Sequence, residues 1–160
     1  MNIAEAKSDI EILFTSADIA KRNEELAEEI ATTMGTDILV IAVLKGSFVF
    51  AADLIRALHH AGVKPQIDFM ALSSYGDKTV SSGNVVITRD IVDTVKGRKV
   101  LLIDDILESG RTIVFAKDLI AARGARRVLS AVLLEKPGKR AVHIEADFVG
   151  FTCPDVFVVG

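Results

Sequence analysis

The chain has 160 residues, half of them hydrophobic, with 19 basic against 22 acidic side chains and a net charge of −3. That balance suits one sizeable core and excludes disordered, collagen-like and coiled-coil classes. It also lacks the basic surplus of a nucleic-acid binder. The single cysteine, Cys153, cannot form an internal disulfide, which favours a reducing, intracellular setting. The longest clean apolar run, residues 38–44, falls far short of the ~18–20 residues that span a bilayer. Glu5, Lys7, Asp9 and Glu11 stand where a secretory signal would carry a basic stretch and an apolar block. The expectation is a cytoplasmic protein with no membrane partner. No repeat, low-complexity tract or Pro/Ser-rich linker divides the sequence, so residues 1–160 read as one domain.

Thr15 and Ser16 open the first element. Ile19, Leu26, Ala27 and Ile30 recur near helical spacing, Glu24, Glu25, Glu28 and Glu29 supply a wet face, and Gly35 is a stop. Residues 38–43 are continuously apolar and too short for a buried helix. They predict a strand covered on both faces, as in a parallel sheet. Lys45, Gly46 and Ser47 then form a turn before a helix over 48–61 that Gly62 ends. Residues 66–72 predict a strand, 73–83 a polar, glycine-punctuated stretch, and 84–90 a returning strand. Another buried strand at 100–104 feeds a loop and a helix over 112–123, stopped by Gly124. Residues 128–134 repeat the strand pattern, and short strands follow at 148–151 and 156–159, with Pro154 and Asp155 turning between them. Strands alternating with helices mean an α/β fold with right-handed crossovers. In such sheets ligands bind beyond the carboxyl ends of the strands. Function is therefore expected at residues 44–47, 104–112 and 135–140.

The most informative segment is Val100-Leu-Leu-Ile-Asp-Asp-Ile-Leu-Glu-Ser-Gly-Arg-Thr112. A buried strand delivers Asp104 and Asp105 to its carboxyl end. Successive side chains point to opposite sides of a strand, so both can face one small ligand only where the strand stops. Adjacent carboxylates repel unless a cation or the hydroxyls of a diol lie between them. Glu108, Ser109, Gly110, Arg111 and Thr112 then turn into a helix, whose first amides, with hydroxyls on either side of a glycine, suit a phosphate monoester. The combined chemistry is that of a sugar phosphate. An ordinary strand-to-helix turn with Asp and Ser as caps would explain a bare Ser-Gly-x-Thr, but not the whole string. A nucleoside-triphosphate P-loop needs G-x-x-x-x-G-K-[ST], and a single glycine precedes Arg-Thr here.

This string resembles the phosphoribosyl-pyrophosphate motif of the type I phosphoribosyltransferases. The remainder is similar to their hypoxanthine-guanine branch in its compact bacterial form. The similarity runs through Val43-Leu-Lys-Gly-Ser47, Ser73-Ser-Tyr-Gly76, Ser81-Ser-Gly83, Leu133-Leu-Glu-Lys-Pro137, Phe148-Val-Gly-Phe151, Pro154-Asp155 and Phe157-Val-Val-Gly160. The resemblance implies a mainly parallel twisted sheet flanked by helices with a small hood. It implies transfer of a 5-phosphoribosyl group from phosphoribosyl pyrophosphate to N9 of a 6-oxopurine, giving IMP or GMP, in an enzyme that commonly self-associates.

By resemblance, Asp104 and Asp105 hold the ribose hydroxyls and Mg²⁺, and Ser109, Gly110, Arg111 and Thr112 hold the 5-phosphate. Glu108 stands where the family most often has the aspartate that accepts the purine N7 proton, and Asp104 where it often has Glu. A carboxylate within about 2.6–3.2 Å can take that proton; otherwise Glu108 is a solvated first-turn carboxylate favoured by the helix dipole. Lys45 and Gly46 match the pyrophosphate turn, whose peptide can be cis in the family; alone they are a plain βα turn. Lys136 matches the lysine that donates to the purine 6-oxo group. An ammonium only donates, so it matches a carbonyl and rejects the exocyclic amine of adenine. Arg140 corresponds to a basic residue on the pyrophosphate side, a role for which Lys139 competes. Phe157 would stack on the purine and the backbone of Val158 would meet its edge; without the family, Phe157 is a core residue of a buried strand. Ser74 and Tyr75 lie in a stretch, 73–83, that is either a lid closing over the reacting centre to exclude water or an idle hairpin tip.

The sequence stops at Gly160, where the family normally continues with an aspartate near the metal and purine and an arginine near pyrophosphate. Either the sequence is a shortened one or the protein lacks those groups. Two further readings remain. One is an RNA-binding regulator on the same fold, using Arg123, Arg126, Arg127, Lys139 and Arg140, against which the net −3 argues. The other is a xanthine or pyrimidine phosphoribosyltransferase.

Overall fold

The computed structural model describes residues 10–75 and 84–160. Glu5, Lys7 and Asp9 at the start of the chain, Gly76, Ser81-Ser82-Gly83 and most of the expected lid lie outside them. Helix α1 spans Ser16–Met34. Thr15 caps it by accepting from the Asp18 amide (3.1 Å), while the Asp18 carboxylate accepts from the Thr15 amide (3.2 Å), a reciprocal box that satisfies amides with no partner inside the helix. Gly35 ends it at φ 81°. Its buried stripe of Asn23, Leu26, Ala27, Ile30 and Met34 faces the sheet.

The strands are β1 (Leu39–Leu44), β2 (Gln66–Tyr75), β3 (Asn84–Arg89), β4 (Lys99–Leu107), β5 (Arg127–Glu135) and β6 (Phe148–Thr152). Helix α2 (Phe48–His60) follows β1, and α3 (Arg111–Ala122) follows β4. They form one six-stranded sheet in the order β3-β2-β1-β4-β5-β6. Every neighbouring pair is parallel except β2 with β3. Alternate residues of β1 feed opposite cores. Val40 and Ala42 pack with α1 and α2, whereas Leu39, Ile41 and Val43 pack with Ile113, Ala116 and Ile120 of α3. Covered on both faces, β1 carries no polar side chain. Among the described residues no helix is long and apolar enough to cross a membrane.

Several expected boundaries move. Strand β2 runs on to Tyr75, so Ser73, Ser74 and Tyr75 belong to a strand paired with β3. The expected strand at 156–159 is absent; those residues are irregular, and Phe157 is 93 % exposed rather than a core residue. The β4 strand continues past Asp104 to Leu107, for a reason that matters to function. Its pairing with β1 ends at Ala42↔Ile103, while its pairing with β5 persists to Leu107↔Glu135. The sheet therefore opens between β1 and β4, where the strand order reverses. Such switch points are where ligand crevices form.

Candidate active site

That opening holds a cleft of about 320 Å³. One wall is Val43, Leu44 and Gly46, at the end of β1; the other runs from Asp104 through Gly110 to Thr112 and Ile113, with Leu72 alongside. Asp104 and Asp105 both reach the cleft although the strand continues. The β4–β5 register steps from Asp104 to Ile106 without an Asp105 pair, and each carboxylate accepts the next residue's amide (Asp105 N at 2.9 Å, Ile106 N at 2.8 Å). Burial, followed by the neighbouring Asp105 carboxylate, holds the Asp104 carboxyl well above the usual carboxylate range, against the lowering effect of the Asp105 amide. Gly46 lies so close to the Asp105 carboxylate that a Cβ there would force it to move.

Beyond the acidic pair the chain turns through Glu108 and Ser109 to Gly110, the N-cap of α3, at φ 85°. A Cβ there would clash with the Ile144 side chain and crowd Val142 at 3.2 Å. Arg111 N donates to Ser109 Oγ at 3.3 Å. On the far side, Lys136 is 6 % exposed and its Nζ donates to Glu108 Oε1 at 3.1 Å. A buried ammonium next to a half-exposed carboxylate thus stands at the edge of the cleft, one group only donating and the other only accepting.

The loop carrying Glu108 is tied down by a strap formed by residues 136–144. Lys136 N donates to Leu107 O at 3.0 Å, and the amides of Ala141 and Val142 donate to Ser109 O at 2.9 and 3.3 Å. Arg140 Nη1 donates to the carbonyls of Leu107 (3.1 Å), Glu108 (2.8 Å) and Lys136 (3.2 Å), and Nε to Ile144 O (3.0 Å). Its Nη2 meets Glu135 Oε1 at 2.6 Å.

A family model for the phosphoribosyl transferase domain matches residues 9–160. The chain is 44 % identical over 156 residues to a hypoxanthine-guanine phosphoribosyltransferase of Bacillus subtilis, covering 96 % of this chain and 85 % of the relative. It is 34 % identical over 157 residues to a hypoxanthine phosphoribosyltransferase of Escherichia coli, covering 96 % and 86 %. A crystal structure of a hypoxanthine-guanine phosphoribosyltransferase of Bacillus anthracis, with HEPES in its active site, superposes with a TM-score of 0.86 at 40 % identity, covering 92 % of this chain and 86 % of that one. This chain belongs to the phosphoribosyltransferase family.

Of the residues singled out from sequence, this phosphoribosyltransferase brings Gly46, Asp104, Asp105, Glu108, Ser109, Gly110 and Thr112 together in the cleft wall, with Lys136 bonded to Glu108. It does not bring the others. Lys45 is exposed and contributes nothing to the wall, and the cis peptide is Leu44–Lys45, one bond before the expected one. Arg111 is also absent from the wall, its Nε buried without an acceptor among the described residues. Arg140 does not line the cleft; its guanidinium is taken up by the Leu107, Glu108, Lys136 and Ile144 carbonyls and by Glu135. Phe157 and Val158 stand outside the wall, in the irregular segment after β6. Ser74 and Tyr75 end β2. The basic residues expected to build an RNA-binding face are mostly engaged within the protein: Arg123 with Asp90 (2.7 Å), Arg127 with Thr33 O (3.4 Å) and Lys139 with Asp155 (3.1 Å). Sequence reasoning missed the strap residues Ala141, Val142 and Ile144. Their apolar character after a Lys-Pro-Gly-Lys-Arg turn, with no regular element to serve, was the available signal.

Proposed function

We propose that this phosphoribosyltransferase serves purine salvage, moving the 5-phosphoribosyl group of phosphoribosyl pyrophosphate onto N9 of hypoxanthine or guanine. The observation that carries the reading is the Glu108–Lys136 pair. A 6-oxopurine presents N7–H and the 6-oxo group on one edge, a donor beside an acceptor. An accepting Glu108 and a donating Lys136 at 3.1 Å from each other match that edge in the same order, and an exocyclic amine would meet the ammonium unmatched.

The ribose diol lies against Asp104 and Asp105, and the 5-phosphate on the amides and hydroxyls of Ser109, Gly110, Arg111 and Thr112. Pyrophosphate lies against Lys45 and Gly46. As N9 bonds to C1′ and the C1′–O bond to pyrophosphate breaks, the N7 proton passes to the Glu108 carboxylate. Phe157 and the Val158 backbone move in to cover the purine, and Ser74 and Tyr75 belong to the lid that keeps water from the ribosyl carbon. The donor set fits Mg²⁺. Among the described residues no cluster of three or more metal-ligating side chains exists, and Mg²⁺ is commonly held by one or two carboxylates with substrate phosphates and water. A cation beside Asp104 would also offset the repulsion that disfavours its ionised form. When bound, Mg²⁺ neutralises charge on the pyrophosphate and the ribose oxygens. The enzyme acts as one domain and as a homo-oligomer in the cytoplasm.

The test is a panel of hypoxanthine, guanine, xanthine, adenine and uracil with phosphoribosyl pyrophosphate and Mg²⁺, followed by chromatography of the products. IMP and GMP should form and AMP should not. A panel yielding only UMP or XMP, or no nucleotide at all, would overturn the assignment.

A further inference from the structure

The strap holds the loop after β4 by its carbonyls rather than by its side chains. Leu107 O and Glu108 O accept from Arg140, and Ser109 O from the amides of Ala141 and Val142. In a trans peptide the C=O and the following N–H point in opposite directions. Drawing these carbonyls onto the strap turns the N–H groups of Glu108, Ser109 and Gly110 away from it. Ser109 and Gly110 line the cleft, and no described residue accepts a hydrogen bond from either amide. The same Arg140 nitrogen also bonds the Lys136 carbonyl, so one planar, rigid fork spans the backbones of both groups of the Glu108–Lys136 pair. Glu135, bonded to Nη2, fixes the fork from behind.

We propose that Arg140 is a positioning residue. Through the Leu107, Glu108 and Lys136 carbonyls it aims the Ser109 amide at the sugar phosphate, beside the Gly110 amide that Ala141 and Val142 turn by holding Ser109 O, and sets the spacing of Glu108 and Lys136, touching neither substrate. The proposal rests on the phosphoribosyl-transfer reading above. It replaces a direct contact between Arg140 and pyrophosphate with an indirect effect on the opposite end of the ribose.

The experiment measures ribose 5-phosphate binding by calorimetry and the KM values for phosphoribosyl pyrophosphate and base, in the full chain and in Arg140→Met, Arg140→Lys and Glu135→Gln. Arg140→Met should weaken ribose 5-phosphate about tenfold or more and raise both KM values. Arg140→Lys should recover less than half of that loss, because an ammonium keeps the charge but not the fork. Glu135→Gln, which keeps the shape behind the fork, should weaken binding about threefold. A merely structural role would lower kcat per total protein and leave affinities unchanged. Folded Arg140→Met with wild-type affinities would overturn the proposal, and so would full rescue by lysine, which would make charge the operative property. If Arg140→Met does not fold, Glu135→Gln decides: an affinity equal to wild type rejects the positioning. A wild-type chain that binds no ribose 5-phosphate and turns over no base instead defeats the functional reading itself.

Discussion

Residues 107–110 and residues 156–160 are both irregular or strand-end backbone at the carboxyl side of the sheet, and they are held in opposite ways. The first are clasped: Leu107, Glu108 and Ser109 each give a carbonyl to the strap, and Ile144 packs where a Gly110 side chain would stand. Among the described residues the second segment has no backbone hydrogen bond beyond Val156 N to Pro154 O, and Phe157 is turned to solvent. On the proposed reading the first segment carries the sugar-phosphate cradle together with the proton acceptor Glu108, and the second covers the face of the purine. The clasped end meets its ligand in final geometry and loses little freedom on binding, whereas the open end orders as the base arrives.

The largest effect should come from Glu108→Gln, which keeps the size and the Lys136 contact but cannot take a proton. Turnover should fall about 10²-fold or more, with ribose 5-phosphate affinity within about twofold of wild type by calorimetry. Equal losses in both would break the separation of the two ends. Next, Gly110→Ala puts a methyl at φ 85° against Ile144. Strain and overpacking should cost about 1–3 kcal/mol in denaturant titration and weaken ribose 5-phosphate more than base.

Asp68→Asn serves as a control away from the cleft, near the start of β2. Asp68 accepts from the amides of Phe69 (2.7 Å), Val92 (2.7 Å) and Asp93 (2.8 Å). Burial raises its carboxyl, but those amides and Arg89 outweigh it and hold it below the ordinary 3.8. A folded value below the unfolded one means that its stabilisation is complete above the unfolded value and is lost as pH falls through the folded one. The substitution should cost about 1–3 kcal/mol at neutral pH, leave both KM values unchanged, and flatten the fall of Tm below pH 3.8. A variant as acid-sensitive as wild type would remove Asp68 from that role. The smallest change in stability belongs to Phe157→Ala, within about 0.5 kcal/mol. The same variant should raise the KM for base about fivefold or more, since stacking on a base is worth about 1–3 kcal/mol.

The sheet and its helices were legible because their signals are local. Thr15 with Asp18, the uninterrupted apolar run of β1, and Gly35 each state one element's beginning, middle or end within a few residues. The acidic pair and the Ser109–Thr112 turn were legible for the same reason, lying in one short string. The overhang of β4 beyond β1 was not, because it depends on where a partner strand parts company. Arg140 reads as an anion ligand because it is a basic residue near an anion site, and the sequence does not show the carbonyls that its guanidinium meets. Two of those carbonyls, of Leu107 and Glu108, belong to residues far away in sequence, and backbone acceptors carry no side-chain signature. Phe157 reads as core because aromatic residues flanked by valines usually are, and nothing local shows that the sheet has already ended at β6.

Arg22 on α1 donates to the carbonyls of Val149 (2.8 Å) and Gly150 (2.9 Å), and Phe14 stacks on Phe151 at 4.1 Å between ring centroids. All of these partners lie on β6, an outermost strand. An unguarded outermost strand is a template on which foreign chains can extend a sheet. Here an intruder pairing along Val149–Phe151 would have to displace a guanidinium and a ring, so α1 and the residues just before it shield part of that outer strand as well as packing one face of the core.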